Sequence, residues 1–324
     1  MFKSLPSIYQ IDICSECNLS CPMCLRTALK MDGNRMPVAL LQMMLRRGDF
    51  DGTHYTELQQ AGEPTLHPEL EVFLLMLKEA GVKVGLSTNG LLMRKRPYPN
   101  QARTVAHILC ELADTLTISI DSVNPTVYAE MRAPAKFSWF EDELTHFVEV
   151  WRSGSRRLMV DLQVLRIPDL YGSGNIDAVR DYLAQKGWTD VFHVRGMSDT
   201  FIEMSERREP GIVYRPEVFC LNPWTSISVT SRGHVVSCCY VFAPQEKSIN
   251  VYGNLWENSL REIWNSPTVD RMRSYQIACA AGLPFHDDSV HEGRNLCRLC
   301  YEKNPEFLHE EMLCRLSRRM SSQS

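Results

Sequence analysis

The sequence predicts an α/β fold: a partial (β/α)6 TIM-like barrel over residues 1–205, then a small second domain with a β-hairpin and a helix over 206–306. Short apolar runs alternate with stretches of helical periodicity through the first 200 residues, the pattern of parallel strands covered by helices. Six such units are too few for a standard eight-fold barrel and fit a partial one. The alternation then breaks at Glu206 to Pro216, a segment rich in charge and proline that reads as a linker.

The first strand is Ile8 to Ile13 (IYQIDI), followed by Tyr55 to Gln59 and Val82 to Leu86. Leu116 to Ile120 (LTISI), Leu158 to Leu165 (LMVDLQVL) and Val191 to Val194 complete the six. Between them, Val105, Ile108, Leu109 and Leu112 recur at helical spacing in residues 101–113, as do Leu144, Phe147, Val148 and Trp151 in residues 137–152. Asn124-Pro125 has the form of an N-cap and first-turn proline. Gly81 and Gly187 stand where a C-terminal glycine belongs. Past the linker, Thr225 to Val229 and His234 to Cys238 flank a turn at Arg232-Gly233. A short helix follows, with Asn258 as its cap and Leu260, Ile263 and Trp264 on its inner face. Residues 307–324 form a tail whose serine-rich end reads as disordered.

With 324 residues, 44% hydrophobic and 23% charged, the chain has the composition of an ordinary globular protein. Its net charge of -4 points to neither nucleic acid nor an anionic membrane, and the short run Arg94-Lys95-Arg96 reads as a solvated rim. The N-terminus lacks the apolar core of a secretion signal, and no run approaches the roughly 18 apolar residues of a membrane span. The expectation is a cytoplasmic protein with no nucleic-acid or membrane partner. Twelve cysteines without a secretion signal read as metal ligands rather than a disulfide framework.

Cys17, Cys21 and Cys24 lie in the run Cys-Asn-Leu-Ser-Cys-Pro-Met-Cys directly after the first strand, on the rim where ligand sites of such folds collect. Three closely spaced thiolates make a poor closed tetrahedral site and a good site for an iron–sulfur cluster with one open iron. Half a zinc site, or surface thiols, is the alternative. Gln60-Ala61-Gly62-Glu63-Pro64 follows the second strand, Ser87-Thr88-Asn89-Gly90 the third, and Ser119-Ile120-Asp121-Ser122 ends the fourth. Gln163 and Arg166 are polar residues among apolar neighbours on the fifth.

In this order the motifs resemble those of the radical S-adenosylmethionine (SAM) enzymes. The resemblance implies that Cys17, Cys21 and Cys24 hold a [4Fe–4S] cluster whose fourth iron binds SAM. An electron passed into the sulfonium then yields a 5′-deoxyadenosyl radical that removes a substrate hydrogen atom. Gln60 to Pro64 is similar to the family's Gly-Gly-Glu-Pro segment, which meets the SAM amino group. Here Ala61 replaces the first glycine and still offers its backbone, while Gly62 admits a close approach and Glu63 supplies the carboxylate. Asn89, Ser119 and Asp121 match adenosyl and methionine contact positions, with turn chemistry as the alternative. Gln163 and Arg166 lie on the strand that relatives use for the SAM carboxylate or ribose, with outward-facing strand residues as the alternative. Met23 stands where an aromatic is frequent and is able to pack on adenine.

A second cysteine set, Cys220, Cys238, Cys297 and Cys300, resembles the twitch domain, a shortened SPASM domain that binds one auxiliary [4Fe–4S] cluster. Gly253-Asn254-Leu255 and Leu260 to Trp264 also look like SPASM-type sequence. A four-cysteine zinc site is the alternative. Cys239 is a candidate hydrogen donor, or a small buried residue beside a ligand. Cys14 and Cys110 read as core, and His286 to Glu292 as a solvated loop. The resemblance implies oxidation of a small-molecule substrate, with the auxiliary cluster as electron acceptor and a flavodoxin or ferredoxin as donor. A redox-neutral epimerase of a sugar or peptide residue, radical bond formation, and a zinc-stabilised binding protein without catalysis stand as alternatives. A peptide substrate stays open; the expectation leans to a small molecule because no peptide-binding extension is evident before Ile8.

Overall fold

In the computed structural model the described residues are 4–28, 30–98, 102–155, 158–166, 175–198, 220–239, 248–281 and 283. The linker, the tail, Cys297, Cys300 and the loop at 286–292 lie outside them.

The strand runs of the first half become β1 (Ser7–Ile11), β2 (Tyr55–Glu57), β3 (Lys83–Thr88), β4 (Thr115–Ser119), β5 (Met159–Arg166) and β6 (Phe192–Ser198). Each pairs in parallel with the next, in the order expected when a helix returns the chain after every strand. The helices are α1 (Leu25–Ala28), α2 (Val38–Arg46), α3 (Leu70–Glu79), α4 (Val105–Leu112), α5 (Pro125–Met131), α6 (Phe137–Ser153) and α7 (Asn175–Lys186). Along β4, Leu116 and Ile118 are buried while Thr115, Thr117 and Ser119 are partly exposed, so one face meets the helices and the other a cleft. Phe137, Phe140 and Phe147 of α6 and Tyr128 of α5 are buried in the core.

The helix ends follow their local chemistry. The first helix of residues 101–113 begins only at Val105, because Thr104 is extended and forms a capping box with His107. Asn124 accepts from the amides of Thr126 and Val127, and Pro125 opens α5. Gly81 and Gly187 end α3 and α7 at φ of 74° and 66°. Each helix closes with the next residue's amide reaching back five positions, Val82 to Leu77 and Trp188 to Leu183.

The second part adds α8 (Asn222–Thr225), the hairpin β7 (Ser226–Val229) and β8 (His234–Val236), β9 (Val251–Asn254), α9 (Leu260–Trp264) and α10 (Pro267–Ala280). The cap of α9 is Ser259, not Asn258, because Ser259 and Glu262 complete a capping box. β7 pairs in parallel with β1, so one nine-stranded sheet runs β6-β5-β4-β3-β2-β1-β7-β8-β9. With β2 on one side and β7 on the other, β1 has no free edge for β6, and the barrel stays open. Two polar ties reinforce the seam. Arg47 donates to the Leu255 carbonyl at 2.7 Å, and Asp49 accepts from the Leu260 amide at 3.0 Å.

Candidate active site

After β1 the chain turns into the cysteine loop, which is held at several points. The Ser15 amide donates to the Asn34 carbonyl at 2.8 Å, and Arg26 of α1 donates to the Ser15 carbonyl at 2.6 Å. The Cys24 amide donates to the Cys21 carbonyl at 3.0 Å, closing a tight turn over Pro22 and Met23. The Ser20 amide reaches the Ala133 carbonyl at 2.7 Å. Donors face the first sulfur: the Leu19 amide at 3.4 Å and Asn89 Nδ2 at 3.9 Å from Cys17 Sγ. Burial pushes the Cys17 thiol up to about 11. Burial also raises Cys21, and the Arg132 guanidinium opposes it. Cys14 is buried, bridges to Arg35 and is not on the cleft.

The segment after β2 lies directly on this loop. The Glu63 amide donates to the Glu16 carbonyl at 2.7 Å. A side chain at Gly62 would collide with the backbone of Cys14, Ser15 and Glu16, so only glycine permits this approach. The Glu63 carboxylate is buried, and burial raises its pKa. Its Oε1 accepts from the Thr65 amide (3.1 Å), Thr65 Oγ1 (2.6 Å) and Thr88 Oγ1 (2.7 Å), and its Oε2 accepts from the Asn89 amide at 2.7 Å. One carboxylate thus joins the ends of β2 and β3, and Oε2 keeps capacity for a further donor.

Asp121 takes a positive φ of 58° where β4 ends. Its Oδ1 accepts from the Leu165 amide at 2.9 Å, and its other oxygen pairs with Arg132 just after α5. Arg132 Nε is buried with no hydrogen-bond partner.

These elements surround one cleft of about 650 Å³ at the carboxyl ends of the parallel strands. Cys17, Cys21, Cys24, Ala61, Gly62, Glu63, Asn89, Ser119, Asp121, Gln163 and Cys239 all line it. Cys239 comes from beyond β8, and its carbonyl accepts from Gln60 Nε2 at 3.0 Å, tying the hairpin to the loop after β2. Gln163 pairs with Ser119 across the ladder and accepts from Arg195 at 3.1 Å. Cys220, before α8, and Cys238, packed against Val236 and Val251, are half-buried and off the cleft. The Arg166 side chain lies outside the described residues. Sequence reasoning missed Arg132, because a lone arginine after a helix carries no pattern. It also missed Gln10, Tyr55 and Glu57, although the alternation of Tyr55 and Glu57 about Thr56 puts both on one face.

The donor set suits an iron–sulfur group bound with an amino acid. Three thiols open on one cleft, the ligand type such clusters take, and N–H donors aimed at a sulfur are of the kind that tunes their potential. A carboxylate with spare acceptor capacity and an orphaned guanidinium nitrogen match an ammonium and a carboxylate. Among the described residues no three His, Cys, Asp or Glu side chains converge tightly enough to hold a single metal ion.

Comparison with known proteins gives the class. The signature of the radical SAM superfamily matches residues 11–160, and that of an iron–sulfur cluster-binding domain, SPASM, matches residues 220–301. The chain thus joins a radical SAM domain to a SPASM-type iron–sulfur domain. That pairing of domains implies a SAM-binding [4Fe–4S] cluster and an auxiliary iron–sulfur cluster.

A curated relative, the tungsten-containing aldehyde ferredoxin oxidoreductase cofactor-modifying protein of Pyrococcus furiosus, is 32% identical over 88 residues. That match covers 26% of this chain and about a quarter (24%) of the relative's length. The fold is similar to that of BtrN in complex with AdoMet and 2-DOIA, at 18% identity and TM-score 0.52, covering 87% of this chain and 89% of that one. It is also similar to Streptococcus suis SuiB bound to precursor peptide SuiA, at 18% identity and TM-score 0.54, covering 84% and 67%. Among the described residues no helix is long and apolar enough to cross a membrane.

Proposed function

We propose that this chain cleaves SAM reductively and uses the radical to abstract a hydrogen atom from a substrate in the cleft. The observation that carries the reading is that the three loop thiols, Glu63, Ser119 and Cys239 all open on that one cleft. Cys17, Cys21 and Cys24 would hold the cluster, Glu63 the SAM ammonium, and Arg132 with Ser119 the SAM carboxylate. When bound, the cluster supplies the electron that breaks the C5′–S bond of SAM to give a 5′-deoxyadenosyl radical. The residues of the chain bind and orient: Glu63 joins β2 to β3, and Asp121 joins β4 to β5 and steadies Arg132. Cys220, Cys238, Cys297 and Cys300 would hold the auxiliary cluster, and a flavodoxin or ferredoxin would supply electrons.

Cys239 favours the redox-neutral alternative over oxidation, because its residue lines the same cleft as the loop thiols. In that reading its S–H bond breaks as a C–H bond forms on the substrate radical. The thiyl radical left behind takes one electron and one proton, the electron coming from the donor protein. Oxidation of a small molecule is the second reading, and the peptide-bound fold relative keeps a peptide substrate in view.

Anaerobic reconstitution should give about eight irons per chain, two four-iron clusters, and 5′-deoxyadenosine on incubation with SAM and dithionite. Zinc in place of iron, or no cleavage with intact clusters, would overturn the reading. Turnover in deuterated water divides the chemistries. One non-exchangeable deuterium in the product, lost in Cys239→Ala, is the redox-neutral outcome; a product lighter by two hydrogens is the oxidative one.

A further inference from the structure

Below the level of Ser119 the cleft continues into the barrel, and its wall there is polar. Across the ladder Glu57 pairs with Gly85, Gly85 with Thr115, and Thr115 with Met159. Thr115 stands four residues before Ser119 on β4, about 13 Å at the usual strand rise. A side chain at Gly85 would collide with the Tyr55 hydroxyl, so the glycine is what lets Tyr55 and Glu57 fold over the lumen. The Tyr55 hydroxyl donates to Glu57 and lies 2.8 Å from Thr115 Oγ1.

This foot of the cleft holds one orphaned acceptor, Gln10 Oε1, beside a carboxylate whose donor is the Tyr55 hydroxyl. Glu57 is half-buried, and among the described residues no cation lies within ion-pair distance of it. Arg195, the cation that acts on it from farther away, is paired with Asp161 at 3.6 Å and donates to Gln163. Gln10 is the direct ladder neighbour of Glu57 on β1. It is 6% exposed, lines the cleft, and its Oε1 has no hydrogen-bond partner. Register slips between Ile8 and Gln10, so Tyr9 also reaches the cleft. A carboxylate and an orphaned amide oxygen beside two phenol rings is the chemistry that recognises an ammonium, through charged hydrogen bonds and cation–π attraction.

We propose that Glu57, Gln10, Tyr55 and Tyr9 form a subsite that grips a primary ammonium group of the substrate, at the foot of the cleft and away from the SAM end. The inference rests on the radical reading only for calling the occupant a substrate. An amino sugar or aminocyclitol and a lysine side chain share this chemistry.

The test is equilibrium binding to the reconstituted full chain with SAM present, using n-butylamine against n-butanol as matched probes. The amine should bind about tenfold or more tightly than the alcohol, the worth of one charged hydrogen bond. That preference should collapse in Glu57→Gln and weaken in Gln10→Met, each checked for wild-type iron content and melting temperature. Equal binding of the two probes, no amine binding by folded wild-type protein, or a preference that survives in both variants would overturn the proposal. If Glu57→Gln fails to fold, Gln10→Met carries the test. D-glucosamine and Nα-acetyl-lysinamide then distinguish a metabolite from a peptide source by which binds more tightly. Release of 5′-deoxyadenosine by wild-type protein is scored separately. Its absence sinks the radical reading and leaves the binding result standing.

Discussion

Asp12, just past the end of β1, is a buried acid that burial lifts from its usual 3.8 to about 6. Ser231 from the β7–β8 turn and the backbone of Cys14 and Ala61 offset this only in part, and Oδ1 has no hydrogen-bond partner. The folded chain therefore prefers Asp12 protonated, while the unfolded chain releases that proton near pH 3.8. The contribution is fully present below about pH 4 and is lost as pH rises through about 6, and the two-unit difference is worth about 3 kcal/mol at most. Asp12→Asn should flatten the melting temperature between pH 4 and 6 and raise it at neutral pH relative to wild type. An unchanged slope would assign the dependence to another group. At this scale the sequence was informative for residues in spaced motifs and silent for Asp12 and Arg132. A lone aspartate or arginine shows its burial and its partners only once the chain has folded.

The loop after β2 and the cysteine loop act as one unit, because Gly62 rests on the backbone of residues 14 to 16 and the Glu63 amide bonds to Glu16. Gly62→Ala should push the two loops apart. The obstruction is backbone and cannot swing aside, so the expected cost is about 2–4 kcal/mol, the range for a severe local clash. Iron loading should fall with it. The measurements are melting temperature and iron per chain, and wild-type values for both would remove the packing argument. The strands were readable because β4 and its neighbours alternate apolar and polar residues. Their ends were not: β1 stops at Ile11 although the apolar run continues to Ile13, since Cys14 turns away to bridge Arg35.

For the whole molecule the parallel pairing of β7 with β1 is decisive. It covers an edge that the barrel alone would expose. Residues 1–205 expressed alone should therefore aggregate or elute as soluble oligomers, read by size-exclusion chromatography and circular dichroism. A monomeric, cooperatively melting fragment would show that the barrel does not need the hairpin. The same pairing carries the hairpin back to the rim, where Cys239 meets Gln60 and the two parts share one cleft.

By itself the sequence determined the class of fold and the chemistry available to it. Strand–helix alternation follows from local periodicity, and the Cys17, Cys21 and Cys24 spacing follows from what a short loop can present on one side. Only the tertiary structure decided which residues share a site. Glu57 and Gln10 lie 47 positions apart in the chain and become ladder neighbours through β1–β2 pairing. Cys239 reaches the cleft because a strand more than 200 residues downstream pairs with the first. Such contacts arise from sheet register and close packing, long-range terms that no window of sequence contains.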